Sequence, residues 1–310
     1  MNRRRLAFGA LSGALLALAT TSLKAQLPEH LRDYPLGPIK ASGGLIAPFF
    51  DGWIDNGDGS VTMVFGFMNR NLEEAVDIPL GPNNHIEPDQ FDAVQPTHFP
   101  AYDQEDRRGA ATTTRAAIPG TTIPRGMLRE RGVFAVTVPN DGTEVWWTLT
   151  HAGHTYSVPG RAASVAYEMS SAPRALGSLN PGIRFSQGGP EASGREGIMG
   201  PRITASVGIP VTLSAFVQDR GEREDYDTES SLFPATATWI RHQGPGEVLL
   251  TPVREEIDGA DWGEAATLAT FTEPGEYVIR IRVDNFTAPD SRFGNQCCWS
   301  NAYVPVTVTR

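Results

Sequence analysis

Lysine is nearly missing from this chain of 310 residues: Lys24 and Lys40 are the only two, and arginine supplies the other basic side chains. Acidic residues outnumber basic ones, 36 against 26, which gives a formal net charge of −10. A surface of this sign repels nucleic acid and anionic lipid. The composition therefore excludes nucleic acid as a partner and favours solubility, or cation binding where carboxylates cluster.

Helical periodicity is almost absent, and no apolar run after the N-terminus reaches the roughly 20 residues that a membrane span needs. Short β-branched and aromatic stretches separated by Gly, Pro, Asn and Asp dominate instead. This pattern is typical of β-sandwiches and not of βαβ folds. We therefore predict an all-β protein with no membrane span in its mature form.

The N-terminus has the order of an export signal. Three arginines at positions 3–5 precede an apolar stretch over residues 6–21, and Ala25 offers a small residue at a cleavage position. We predict that residues 1–25 are a cleaved signal peptide and that the mature chain, beginning at Gln26, is periplasmic, cell-surface or secreted. Cleavage removes four basic residues and leaves 22 against 36 acidic ones, a net charge of −14. An uncut N-terminal anchor is the alternative.

The remaining chain, about 285 residues, suits two domains of ordinary size. Glycine, proline and serine are enriched before the last third of the chain, which indicates a linker. The predicted division is a signal peptide (1–25), an extended leader (26–44), an N-terminal β-sandwich (45–173), a linker (174–200) and a C-terminal β-sandwich (201–310).

Apolar alternation with period two marks half-buried strands in both predicted domains. In the N-terminal domain the predicted strands are 61–68, 75–80, 132–138, 144–150, 156–158 and 164–169, with a long loop over 104–127. In the C-terminal domain they are 203–206, 210–217, 235–240, 247–252, 265–272, 276–283 and 302–309. Seven short strands in about 110 residues fit an immunoglobulin-like sandwich.

Four segments of the C-terminal domain resemble a known family. They are 211–215 (Val-Thr-Leu-Ser-Ala), 238–239 (Thr-Trp), 244–246 (Gly-Pro-Gly) and 271–278 (Phe-Thr-Glu-Pro-Gly-Glu-Tyr-Val). On these residues the domain resembles the PKD family, whose fold is immunoglobulin-like. The resemblance implies a core position for Trp239, a corner at Pro274-Gly275 and Tyr277 at the start of the next strand. It implies no catalysis, since family members are mostly extracellular spacers or adhesion and binding modules. Residues 240–246 depart from the family's common Phe-Gly-Asp-Gly turn.

The N-terminal domain offers fewer signals. Residues 69–74, 78–84 and 95–99 resemble exported bacterial proteins whose function is uncharacterised, so this resemblance implies no activity. Trp146 and Trp147 are adjacent on one predicted strand and therefore point to opposite faces of the sheet. One indole is expected in the core, and the other forms an exposed platform or a contact with the second domain.

Candidate catalytic chemistry is limited to four histidines of the N-terminal domain, His85, His98, His151 and His154. They would hold zinc if the fold brought them together, and the last two share a side if a turn separates them. The sequence has no Gly-x-Ser-x-Gly elbow, no His-Glu-x-x-His motif and no phosphate-binding loop. We therefore predict no catalytic residues and no cofactor, with a metal-dependent hydrolase built on these histidines as the alternative.

Acidic loops at one end of the C-terminal sandwich form a candidate calcium site. Asp219 follows the second predicted strand and Asp284 ends the sixth, and the loops after these strands lie at the same end of an immunoglobulin-like sandwich. Asp290 lies in the second loop, and four more acids lie within residues 222–227. Calcium takes about six to eight oxygen ligands from such loops. An acidic, solvated rim is the alternative.

Cys297 and Cys298 are the only cysteines, and they are adjacent. Because they are adjacent, a bond between them cannot join the two sheets. Consecutive Cα atoms also lie about 3.8 Å apart, below the usual disulfide range of roughly 4.4–6.8 Å, so such a bond is strained. Three states stay open: a strained vicinal disulfide, two separate thiols, or links to another chain. We predict the vicinal disulfide, which either only shapes its turn or makes the loop and Trp299 a contact surface.

These observations favour an exported, non-catalytic binding or structural module of the cell envelope or the secreted fraction. Its expected partner is a protein or a glycan of the cell envelope. Assembly with further copies into an extracellular structure is a third hypothesis, beside the hydrolase.

Overall fold

A computed structural model describes residues 40–101, 129–163, 167–169, 180–192, 194–220, 235–257, 261–284 and 299–310. They belong to one compact unit that spans residues 37–310. These residues form eighteen strands and a single 3-10 turn, Asp89–Phe91. The prediction of an all-β protein is therefore confirmed. Within the described ranges, no helix is long and apolar enough to cross a membrane.

The N-terminal part, described residues 40–169, is a β-sandwich. Its strands are β1 (Ile46–Asp55), β2 (Ser60–Asn69), β3 (Val76–Asp77), β4 (Asn84–Glu87), β5 (His98–Phe99), β6 (Arg129–Pro139), β7 (Val145–His151) and β8 (His154–Gly160). They pair as three sheets, β1-β2-β6, β4-β7-β8 and the small β3-β5. The core between the two larger sheets centres on Trp147, whose ring meets Phe134 edge-on at 4.9 Å between centroids. Such a pair contributes about 0.5–1.5 kcal/mol beyond the area it buries.

The predicted strands 61–68, 132–138, 144–150 and 156–158 are confirmed in this part. Of the predicted strand 75–80, only Val76–Asp77 forms a strand, which pairs with β5. Within 164–169, Glu168 forms an isolated bridge with Trp53. β1, β4 and β5 were not predicted from the sequence. The predicted loop 104–127 lies outside the described residues.

The C-terminal part, described residues 180–310, is a second β-sandwich. Its strands are β9 (Gly182–Arg184), β10 (Glu191–Ala192), β11 (Ile203–Ser206), β12 (Val211–Gln218), β13 (Ala235–Gln243), β14 (Val248–Thr251), β15 (Arg254–Ile257), β16 (Gly263–Phe271), β17 (Gly275–Asp284) and β18 (Trp299–Thr309). Two five-stranded sheets result, β10-β9-β12-β16-β14 and β11-β18-β17-β13-β15. All seven predicted strands are confirmed, and Trp239 lies in the core with 1% of its surface exposed.

The corner between β16 and β17 has the local structure that the PKD resemblance implied. β16 ends at Phe271 and β17 begins at Gly275, a glycine with a φ of +151°. Tyr277 is buried, and its hydroxyl donates to Glu273 O at 2.9 Å. The same hydroxyl accepts a hydrogen bond from Gly246 N at 3.1 Å. The phenol therefore ties the corner to the turn after β13, as in the tyrosine corner of immunoglobulin-like domains.

Part of the predicted linker is structured. Within residues 174–200, β9 pairs with the C-terminal end of β12, and β10 pairs with β9. Ile183 and Ala192 from these strands enter the core of the C-terminal sandwich. Two apolar side chains in a Gly/Pro-rich stretch therefore suffice to extend a sheet edge. The division into domains stays a prediction.

The β1-β2-β6 sheet is covered on both faces. On β2, Phe65 points into the N-terminal core, whereas Val64 points the other way and packs against Trp299 of β18. β17 is likewise buried on both faces along most of its length. The sheet β11-β18-β17-β13-β15 therefore lies against the β1-β2-β6 sheet, and the layer between them joins the two sandwiches.

Candidate functional site: a buried arginine layer

The layer between the sandwiches is polar on its C-terminal side. Along β17, Ile279, Ile281 and Val283 point into the C-terminal core. The alternate residues Arg280 and Arg282 point to the opposite face, as period two requires. They are 2% and 3% exposed, because the N-terminal part covers them. We call Arg195, Arg280, Arg282, Asp284, Glu130 and Trp299 the arginine layer.

Arg280 and Arg282 reach across to β6 of the N-terminal part. Arg280 Nη1 donates to Val133 O at 2.5 Å, and Arg282 Nη1 donates to Arg131 O at 2.9 Å. Both guanidinium groups also lie 3.4 Å from Glu130 Oε1. Two cations thus share one carboxylate and two backbone carbonyls of the same strand. Charge-assisted hydrogen bonds of this kind are stronger than neutral ones.

Asp284 supplies the second carboxylate of the layer. Arg282 Nε donates to its two oxygens at 3.1 and 3.0 Å, and Arg282 Nη2 donates to Oδ1 at 3.0 Å. Asp284 is 7% exposed, so this ion pair is largely shielded from water. Removing one partner of a buried pair typically costs about 3–5 kcal/mol, because the other charge is left uncompensated.

Trp299 lies between two guanidinium groups. The Cζ atoms of Arg195 and Arg282 are 4.4 and 5.1 Å from the indole centroid, within cation–π range. Trp299 is 0% exposed. The indole that was predicted to belong to a contact surface therefore makes internal contacts, because the N-terminal part covers the start of β18. Cys297 and Cys298 lie outside the described residues, so the vicinal disulfide stays a prediction.

Arg195 is the most deeply buried cation of the layer. Its guanidinium makes no hydrogen bond to any described residue. Burial lowers the pKa of Arg195 to about 10; the nearby Arg282 also lowers it, while Glu196, Asp284 and Asp51 oppose the shift. The group still carries its charge at neutral pH, so the layer stays cationic there.

Hydrogen bonds between side chains and the backbone hold the two parts together at the same place. Asn301 Nδ2 donates to Gly132 O and to Arg195 O, both at 2.9 Å. Gly132 N in turn donates to the buried Asp51 Oδ2 at 2.8 Å. One amide of β18 therefore links β6 to the segment before β11. This arrangement fixes the spacing of the two sheets.

A second group of contacts lies at the end of β13. We call it the β13 joint, comprising residues 241–244, residues 93–98 and Asp77. Arg241 Nη2 donates to Asp77 Oδ1 and Oδ2 at 2.7 and 3.0 Å, and His98 Nδ1 lies 2.8 Å from Asp77 Oδ1. Burial tends to raise the pKa of Asp77, but the hydrogen bond with His98 and the charges of His98 and Arg241 lower it below its usual range.

His242 is buried within the β13 joint at 2% exposure. Its Nε2 donates to Val94 O at 2.9 Å, and its ring lies 5.2 Å from that of Tyr303. Burial, reinforced by the charge of Arg280, lowers the pKa of His242 to about 3. The imidazole is therefore neutral at neutral pH, with its proton on Nε2.

The backbone completes the β13 joint. Thr97 N donates to His242 O at 2.9 Å. Gln243 Nε2 donates to Ala93 O at 3.0 Å and to Gln95 O at 2.7 Å. Four hydrogen bonds therefore join residues 93–97 to two consecutive residues of β13.

The four histidines of the hydrolase alternative lie apart. His151 and His154 face each other across the β7–β8 turn, as predicted, with Ala152 and Gly153 at positive φ. His85 pairs with Thr148, which is three residues from His151, so it lies on the opposite face of that sheet. His98 belongs to the β13 joint. No group of three or more metal-ligating side chains occurs among the described residues.

The three predicted calcium ligands have different surroundings. Asp284 belongs to the arginine layer and is bonded to Arg282. Asp284, predicted as a calcium ligand with a solvated acidic rim as the alternative, therefore has its side chain on the covered face of β17. Asp219 is partly exposed after β12, whereas Asp290 and residues 222–227 lie outside the described ranges. Calcium binding through these loops stays a prediction.

The two adjacent tryptophans point to opposite faces, as predicted. Trp147 is fully buried, and Trp146 lies on the outer face of the β4-β7-β8 sheet. Trp146 Nε1 donates to Glu144 Oε2 at 3.1 Å, and the guanidinium of Arg161 lies 5.4 Å from its ring centroid. The partly exposed indole is therefore held in one orientation by its neighbours.

Comparisons with known proteins give no family. No protein-family model matches the chain, and no curated protein matches it. Solved structures that it resembles include domains 4 and 5 of the S-layer protein SbsC, at 11% identity and a TM-score of 0.23, covering 56% of this chain and 69% of that chain. Tandem immunoglobulin domains of titin are 11% identical with a TM-score of 0.20, and the match covers 85% of this chain and 97% of that chain. The D00-D0 domain of intimin is 10% identical with a TM-score of 0.24, and the match covers 85% of this chain and 100% of that chain. With TM-scores this low, they carry no argument about function, and the fold class rests on the sheets described above.

Neither the arginine layer nor the β13 joint was predicted from the sequence. On β17, arginines alternate with Ile and Val, and such alternation normally indicates a face in water. The available signal was on β2, where the run Val-Thr-Met-Val-Phe-Gly-Phe-Met over 61–68 is almost continuously apolar. Such a run is typical of a strand buried on both faces. It indicates a covering layer but does not say which strand supplies it.

Proposed function

We propose that this protein is an exported, non-catalytic structural or binding module in which two β-sandwiches act as one rigid unit. The observation that carries the proposal is the arginine layer. Domains joined by a small polar interface usually move relative to each other. Here Arg280, Arg282 and Asn301 engage carbonyls of a single facing strand, β6, which supports a fixed arrangement.

A rigid unit of this kind suits a spacer or a presenting module of the cell envelope, because it holds its distal surfaces at a set distance. The N-terminal pattern of arginines, an apolar stretch and Ala25 favours export. The net charge of −10 disfavours nucleic acid and anionic lipid as partners. A protein or a glycan of the envelope remains the proposed partner, and the PKD resemblance of residues 201–310 fits such a role.

The test is whether the two sandwiches unfold together. We expect the wild-type protein to give one urea transition, with hydrogen-exchange protection lost simultaneously in peptides from β2 and from β16. Arg282→Met should lower the free energy of unfolding by about 3–5 kcal/mol, since it removes the cation that pairs with the buried Asp284 and leaves Glu130 with Arg280 alone. It should also separate the transition into two.

The matched control is Arg254→Met on β15, whose side chain is exposed. This change should lower the stability by less than about 1 kcal/mol and keep a single transition. Two separate transitions in the wild-type protein, or equal effects of the two substitutions, would contradict the rigid unit.

A further inference from the structure

The β13 joint places an uncharged histidine where the two sandwiches meet. His242 belongs to the C-terminal sheet, and its Nε2 proton is bound by the carbonyl of Val94 in the N-terminal part. The backbone carbonyl of the same histidine accepts from Thr97 N. Both contacts are lost if residues 93–97 move away from β13, and His242 then becomes accessible to water.

We propose that the β13 joint is acid-sensitive: protonation of His242 weakens the contact between β13 and residues 93–97, so that the two sandwiches separate there at mildly acidic pH while both cores stay folded. The proposal rests on the proposed function in one respect, namely that the two sandwiches form a rigid unit at neutral pH.

The groups that face His242 do not compensate the positive charge that its ring gains on protonation. β17 contributes the cation of Arg280, and β18 contributes the phenol of Tyr303, whose pKa is raised to about 12 by burial and which is therefore neutral. Residues 93–97 carry no ionisable side chain and offer the Val94 carbonyl. On β13 itself, the flanking Arg241 is a further cation.

Two carboxylates lie in the wider neighbourhood and are already engaged. Asp92, which precedes residues 93–97, accepts hydrogen bonds from Ile86 N at 3.0 Å and Gln95 Nε2 at 2.6 Å. Glu130 lies 3.4 Å from Arg280 Nη2 and Arg282 Nη1. A proton on His242 would therefore sit between cations in a site shielded from water.

The direction of the pH effect follows from the two states of the imidazole. In water the pKa of histidine is about 6.5, whereas burial lowers the pKa of His242 to about 3 in the closed joint. The open joint therefore binds one more proton between these values. The stability that the neutral imidazole gives the closed joint is therefore fully present above pH 6.5. Each unit of pH below 6.5 raises the equilibrium constant for opening the joint by up to about tenfold.

Asp77 changes its protonation state at a lower pH than His242 in the open joint. Its pKa is lowered from the usual 3.8, so its pairing with Arg241 is retained through mildly acidic pH and lost only in stronger acid. The Arg241–Asp77 pair therefore does not sense pH 5–6.5, and an effect in that range belongs to another group. Asp77→Asn is for this reason a suitable control.

The experiment is hydrogen exchange by mass spectrometry on the full chain between pH 7.5 and 5, corrected for the intrinsic exchange rate. In the wild-type protein, peptides 93–99 and 240–246 should lose protection by up to tenfold per pH unit below 6.5, while a β16 peptide over 265–271 keeps its protection. His242→Gln retains an N–H donor for Val94 O and does not titrate, so it should abolish this slope. Asp77→Asn should weaken protection at every pH and retain the slope.

The outcomes separate the two proposals. Peptides 93–99 and 240–246 that are unprotected already at pH 7.5 contradict the rigid unit, and with it the acid-sensitive joint. Protection that is high at pH 7.5 and independent of pH in the wild-type protein overturns the joint alone. The same holds if His242→Gln keeps the wild-type slope, or if the 265–271 peptide loses protection in parallel. Should His242→Gln fail to fold, the wild-type pH series and Asp77→Asn still decide the question.

Discussion

Gly132 on β6 offers the sharpest test of how closely the two sandwiches pack. Its φ is +60°, a conformation that side chains rarely adopt, and a Cβ atom there would lie 2.2 Å from Trp299 Nε1. Trp299 has no room to yield, because it is fully buried between Arg195 and Arg282. Gly132→Ala should therefore cost about 1–2 kcal/mol for the left-handed backbone and about 1–3 kcal/mol more for overpacking.

Gly142, in the turn after β6, is the matched control. Its φ is +93°, and nothing lies within 4 Å of the position that a Cβ would occupy. Gly142→Ala should carry the backbone cost alone. The difference of about 1–3 kcal/mol corresponds to a melting temperature lower by roughly 2–12 °C in Gly132→Ala than in Gly142→Ala, measured by thermal unfolding under circular dichroism.

A double-mutant cycle isolates the contact further. In a Trp299→Leu background the indole is gone, so Gly132→Ala should lose most of its overpacking cost and retain only the backbone cost. Equal melting temperatures for Gly132→Ala and Gly142→Ala would refute the close approach of β6 to β18. An unchanged effect of Gly132→Ala in the Trp299→Leu background would refute the identity of the contact.

Three further outcomes are expected. Asp284→Asn should lower the free energy of unfolding, measured by urea titration, by about 3–5 kcal/mol, since Arg282 loses a buried anion. Asp77 is more exposed, so Asp77→Asn should lower it by less. Equal losses for the two variants would count against the burial of the Arg282–Asp284 pair. Purified protein should contain no stoichiometric zinc by elemental analysis, and a full equivalent of zinc that disappears on His151→Ala and His154→Ala would instead favour the hydrolase. Oxidised protein should take up no alkyl groups before reduction if Cys297 and Cys298 form a vicinal disulfide, and two groups on an unreduced monomer by intact mass would exclude that ring.

Local features of the sequence predicted most of the strands. β12 and β16 alternate apolar and polar residues, and β12 was predicted from that period alone. The corner at Pro274-Gly275 and the position of Tyr277 were implied by the resemblance of residues 271–278 to the PKD family. Several small strands were missed. β9 and β10 lie in a stretch rich in glycine and proline, and all three of β5, β9 and β10 are only two or three residues long, too short to repeat the alternation.

The site was not predictable in the same way. Arg280, Arg282 and His242 were not singled out, whereas Trp299 was assigned to a contact surface and Asp284 to a calcium site. The sequence carries the same alternation whether the polar face of a strand meets water or meets a second sheet that offers carbonyls and carboxylates. Only the burial of both faces of β17 distinguishes the two cases.

The sequence by itself determined the all-β class, most strands of both sandwiches and their inner faces, because these depend on the alternation of neighbouring side chains and on turn residues. The tertiary structure decided that the outer face of one sandwich covers the sheet of the other. The contacts responsible join residues about 150 positions apart, such as Arg280 with Val133 and His242 with Val94. Their pairing depends on how two finished sheets fit together, and no local pattern encodes that fit.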